Sequence, residues 1–140
     1  MKKIATLSTI LIVTLFFASL SGCEAIKKKN MDDFIKGMVE GGNQNKKQLL
    51  QNKKFKDYRV YRDGAKTGVI FEYTFASNVT LQPNPDVKGM KAKLAKELKN
   101  LSIFDAMKKY VGDGLYIKYH YLRHDRSPYM KITLIKKDFE

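Results

Sequence analysis

Cysteine occurs once in the 140 residues and histidine twice. One cysteine excludes a disulfide within the chain, so the folded part must hold together on its apolar core. The two histidines, His120 and His124, offer little to a metal. On one extended strand they stand about 13 Å apart, too far to share an ion. There is no glycine-rich phosphate loop, and Ser127 lies in no G-x-S-x-G context. His124 and Asp125 read as local partners in a turn, and nothing marks Asp63 and Glu72 as an acid/base pair. The expectation is no metal, no cofactor and no catalytic set. Acidic residues are also scarce, with 14 Asp and Glu against 27 Lys and Arg and a formal charge of +13.

The place of the single cysteine is informative. Met1-Lys2-Lys3 is a short positive start, and Ile4 to Leu20 is apolar, broken only by Ser and Thr. Such a run is at the short end of what spans a hydrocarbon core of about 30 Å. A positive start, an apolar middle and small residues before a boundary describe a secretory signal peptide over residues 1–22. The boundary itself reads Leu20-Ser21-Gly22-Cys23. This stretch resembles the lipobox of bacterial lipoproteins. The resemblance implies that the Cys23 thiol is alkylated with diacylglycerol, that cleavage follows Gly22, and that Cys23 becomes an acylated N-terminus. Buried acyl chains contribute about 0.8 kcal/mol per CH₂, so two chains hold firmly where one is marginal. Lipidation also accounts for a thiol without a disulfide partner. The expected location is the cell envelope. In a cell with two membranes, Glu24, where an aspartate would retain a lipoprotein at the inner membrane, favours the periplasmic face of the outer membrane.

Loss of Lys2 and Lys3 with the signal leaves the chain strongly basic. Lys27, Lys28 and Lys29 follow the anchor directly, within a tether over residues 23–30. Each lysine near an anionic bilayer adds about 1 kcal/mol of attraction. Basic charge alone also suits nucleic acid, but no basic helix or aromatic platform motif accompanies it, and none is expected as a partner. The partners expected are the bilayer, through acylated Cys23, and an envelope protein or anionic polymer. The chain beyond the signal suits one domain, expected to be monomeric.

Hydrophobic spacing divides that domain. Over residues 31–52 an N-terminal helical segment pairs Phe34 with Met38 and Ile35 with Val39, weakened at Gly41-Gly42. It either docks on the domain or forms a stalk. Residues 53–140 form the main unit. Val69, Phe71, Tyr73 and Phe75 alternate with Ile70, Glu72 and Thr74, completing a first hairpin over 57–76 around Asp63-Gly64. Asn78-Val79-Thr80 matches a glycosylation sequon and is set aside. Val87, Met90, Leu94, Leu98 and Leu101 stripe a helix over 86–101, with Pro85 suited to its first turn. Ser102 and Asp105 resemble a capping box for a second helix with Ile103, Met107, Tyr110 and Val111 inward. A closing hairpin sets Leu115, Ile117, Tyr119 and Tyr121 on one face, Tyr116, Lys118, His120 and Leu122 on the other, and returns with Met130, Ile132 and Leu134. The fold class is therefore α+β: a four-stranded, mostly antiparallel sheet with helices on one face. Tyr116, Lys118, Tyr129 and Lys131 are expected to gather on the other face as a binding surface.

The run from "MKKYVGDGLYIKYHYL" to "YMKITLI", and the hairpin–helix–hairpin order over residues 55–139, resemble small bacterial lipoproteins, including beta-type pilotins of type II secretion. Members commonly tie the helix to the last strand by a disulfide. Here Leu98 and Leu101 stand on the helix and Asp138-Phe139-Glu140 at the end, so only the fold carries over. The functional expectation is a membrane-anchored, non-catalytic interaction module. The alternative is an accessory or pilot lipoprotein of an envelope machine, and a minor alternative is an envelope hydrolase.

Overall fold

Asn30 opens the first helix of the computed structural model, which describes residues 3–4 and 30–140. Its backbone is extended, and its side-chain oxygen accepts from the Asp33 N–H at 2.8 Å, satisfying one donor that a helix start leaves free. Helix α1, Met31–Gln44, buries Phe34, Ile35 and Met38 and so docks on the domain. The pair Gly41-Gly42 does not break it. A Cβ at Gly42 would come 2.7 Å from Val60 Cγ2, so the missing side chain is what lets the helix lie directly on the first long strand. A short helix α2, Lys46–Leu49, follows and buries Leu49. The expected signal peptide from residue 5 onward, Cys23 and the expected tether to residue 29 lie outside the described residues. Lys3–Ile4 runs parallel to Val79–Thr80 in a two-residue ladder.

The sheet is built from β1 (Phe55–Arg62), β2 (Gly68–Phe75), β3 (Tyr116–Leu122) and β4 (Pro128–Leu134), in the order β1-β2-β3-β4. Both hairpins form, and β2 and β3 join them as a parallel pair. Two of the three pairings are antiparallel, as expected, and the central parallel one makes the sheet mixed. The reason is the connection: two helices, α3 (Val87–Lys99) and α4 (Phe104–Gly112), carry the chain back to the end where β2 began, so β3 runs the same way. The free edge of β1 is closed by a side chain. Asn43 Nδ2 donates to the Val60 carbonyl at 2.7 Å and its Oδ1 accepts from the Val60 N–H at 2.9 Å, continuing the ladder where an exposed edge would invite pairing.

The inner face of the sheet meets α1, α3 and α4 in one core. Rings dominate it. Tyr73, 1% exposed, lies 5.0 Å from the Tyr58 ring, 5.2 Å from Tyr121 and 5.7 Å from Phe55. Phe34 brings α1 into the same core by stacking on Tyr110 of α4 at 4.4 Å. The hydroxyls of Tyr119 and Tyr121 are buried there without hydrogen-bond partners among the described residues. The stripe of α3 buries Met90, Leu94 and Leu98, but Val87 is 38% exposed and Leu101 only partly buried. Asp86, not Pro85, is the start signal: its carboxylate accepts from the Gly89 N–H at 2.9 Å. The expected Ser102 cap does not form. Ile103 holds that position because its side chain, 2% exposed, is drawn into the core and the turn before it closes on backbone bonds alone.

Candidate functional site

Strand alternation leaves Arg59 and Tyr61, then Ile70, Glu72 and Thr74, then Tyr116, Lys118 and His120, then Lys131 on the outer face, opposite the helices. Most of its charges are already used. The carboxylate of Asp63, in the β1–β2 turn, accepts from the Tyr116 hydroxyl at 2.6 Å and from Lys118 Nζ at 3.1 Å. The Tyr116 ring lies against Gly68, where a Cβ would overlap it. Those two hydrogen bonds, Tyr116 first, hold the Asp63 carboxyl below its usual range. Burial, then Asp63, pushes the Tyr116 hydroxyl up to about 12. Thr67 adds to this link, donating through its hydroxyl to the Gly114 carbonyl at 2.9 Å. Tyr116 and Lys118 thus staple the two hairpins across the parallel pairing, where no short loop joins the strands.

Tyr129 is not with them. The β3–β4 register shifts between Tyr121 and Leu122, and the bulge takes Tyr129 out of the alternation. Its ring meets Phe75 edge-on at 6.0 Å, and its hydroxyl donates to the Gln82 carbonyl at 2.8 Å. Of the four residues expected to gather, Tyr116, Lys118 and Lys131 share the face and Tyr129 packs against the core at the far end of the sheet. Lys131 is the exposed one, with no carboxylate paired to it among the described residues.

A second cluster was not legible as a unit. Glu72, only 8% exposed, accepts from Arg59 Nε at 2.7 Å and from the Tyr61 hydroxyl at 2.9 Å, and the Arg59 guanidinium lies 4.5 Å above the Tyr61 ring. Burial disfavours the Glu72 charge, yet the bonds from Arg59 and Tyr61 hold its carboxyl below the usual range. Alternation puts these residues on one face, but only the register, Arg59 opposite Glu72, makes them partners.

His120 lies between Glu72 on β2 and Lys131 on β4, with Lys118 on its own strand and Asp63 beyond it. Its Nε2 is buried without a hydrogen-bond partner among the described residues. Burial, followed by the Lys131 ammonium, lowers its pKa below the usual 6.5. The unfolded chain therefore takes up this proton first, so stability is full above pH 6.5 and declines as the pH falls through the folded value. Glu72, with a depressed pKa, adds a separate loss at more acid pH, below 4.5. In denaturant titrations across this range, His120→Gln should remove the first decline and keep the second. A first decline unchanged in the variant would assign it elsewhere.

Among the described residues, no three His, Cys, Asp or Glu side chains gather as a metal site, and no helix is long and apolar enough to cross a membrane. Comparison with family models, with curated proteins and with solved structures found no match.

Proposed function

We propose that the protein is an envelope lipoprotein, anchored through acylated Cys23, whose folded domain acts as a non-catalytic interaction module. One observation carries the reading: the chain's single cysteine stands in Leu20-Ser21-Gly22-Cys23, directly after a charge-free apolar run with a positive start. The outer sheet face supports the interaction half. It lies opposite the helices and presents the exposed Lys131 beside His120, with Arg59 and Tyr61 on the other edge strand. The partner class this surface suits is an envelope protein or an anionic polymer. Aromatic contact area and salt-dependent attraction from Lys131 would act together there.

Because Lys118 is committed to Asp63, reversing its charge would disturb the fold as well as the surface. Lys131→Glu is the cleaner variant. Crosslinking pull-downs of the acylated protein from its own envelope should recover partners with the parent and lose them with Lys131→Glu, while thermal stability is retained. Partners unchanged at both low and high salt would remove Lys131 from the surface. Recovery of the components of a secretion or assembly machine would favour the pilot or accessory role.

A further inference from the structure

One end of the sheet collects features that the outer face does not use. Arg62 and Gly68 of the first hairpin, Tyr116 at the start of β3 and Leu134 at the end of β4 all lie there by register. The start of α1 is fastened to the same end, since Asp32 pairs with Arg62 at 2.7 Å. Asn30, where the described chain resumes, therefore stands at this end. An apolar cleft of about 200 Å³ opens between α4 and the short 3-10 turn Lys136–Phe139, lined by Phe104, Val111 and Phe139 with Lys108 and Lys136. It shares Val111, Gly112, Lys136 and Glu140 with a shallower hollow of about 500 Å³ that reaches Tyr116, Ile135 and Lys137. Ile135 is 47% exposed, which is unusual for so large an apolar side chain here. Lys66, Lys108, Lys136 and Lys137 are all exposed, and none has an ion pair among the described residues. Glu140 lines both cavities and Asp113 stands nearby, so the lysines outnumber the free carboxylates at this end; Asp32 and Asp63 are already taken by Arg62 and by Tyr116 and Lys118.

We infer that this end of the domain is a docking surface for an anionic bilayer, with Ile135 entering the interface and the lysines contacting headgroups. The inference rests on the anchor reading for its geometry. Residues 23–29 span at most about 25 Å even when fully extended, so an acylated Cys23 keeps this end close to the membrane. Lys27, Lys28 and Lys29 add charge of the same sign. Exposed lysines around an exposed aliphatic side chain suit such a surface, because headgroup attraction acts within a Debye length of about 8 Å while the aliphatic group enters the interface. The acyl anchor holds the chain to the membrane, and this surface sets which way the domain faces.

The test uses the mature acylated chain in vesicles of phosphatidylcholine alone and of phosphatidylcholine mixed with phosphatidylglycerol. With Cys23 acylated, Ile135→Cys supplies the free thiol for a fluorescent label. Asn78→Cys, just beyond the other end of β2, is the control. Shallow spin-labelled lipids should quench the label at 135 several-fold more than the label at 78, and only in the anionic vesicles. The combination Lys108→Glu, Lys136→Glu and Lys137→Glu should abolish the difference while the protein still sediments with both vesicles. Equal quenching at 135 and 78 would overturn the inference. So would protection of position 135 that appears only with envelope protein added, which would make the hollow a protein site. Failure of the anchor is a separate result, a free Cys23 thiol with no sedimentation on neutral vesicles. In that event a Cys23→Ser background carries the labels, and quenching at 135 on anionic vesicles still decides the lysine surface.

Discussion

Tyr73→Ala is expected to lower the free energy of unfolding by about 3–5 kcal/mol, the range for removing a buried aromatic side chain from a packed core. Tyr73 is at the centre of the inner face, with the rings of Phe55, Tyr58, Tyr119 and Tyr121 within 6.5 Å of its own. Two of those rings belong to β3, so the substitution opens a cavity at the junction of the two hairpins. The sheet has no other way to fill it, because the neighbouring tyrosines are already fully buried and close-packed. Tyr73→Phe provides the comparison. It keeps the ring contacts, and denaturant titration should place it within about 1.5 kcal/mol of the parent. Equal losses for the two variants would show that the hydroxyl, and not ring packing, matters at this position.

Phe34→Ala should produce a loss of similar size, about 3–5 kcal/mol, with a different structural consequence. Phe34 is 0% exposed and stacks on Tyr110, so it joins α1 to α4. If α1 is part of the cooperative unit, one transition should remain, shifted to lower denaturant. Hydrogen exchange should show α1 opening at a free energy well below that of β2 and β3 in the variant. A variant as stable as the parent would mean that α1 behaves as a stalk and not as a wall of the core.

Which faces are buried was legible in the sequence; which strands are neighbours was less so. The alternation of Val69, Phe71, Tyr73 and Phe75, and of Leu115, Ile117, Tyr119 and Tyr121, reports a face directly, since side chains point to opposite sides at successive positions. The stripe Met90, Leu94, Leu98 did the same for α3. Alternation carries no information on pairing partners, and the parallel contact between β2 and β3 joins segments far apart in the chain. A helical crossover between two strands was a clue to that direction. Gly42 misled because glycine weakens an isolated helix, whereas here its missing Cβ makes room for Val60. Tyr129 misled because a bulge changes alternation by one residue and leaves no local mark beyond Pro128. Tyr116 and Lys118 looked available in one dimension. Only the fold brings Asp63, more than fifty positions earlier, within reach of both.

The central claim is that Cys23 is the acylated start of the mature chain, and the mass of the protein purified from its own membranes tests it most directly, with Cys23→Ser fractionated alongside. The account predicts a chain beginning at Cys23 and heavier by a diacylglycerol group, with or without a further acyl chain. The serine variant should be either unprocessed or released from the membrane. A parent protein that retains residues 1–22 with a free thiol, or a variant that fractionates and migrates like the parent, would contradict it.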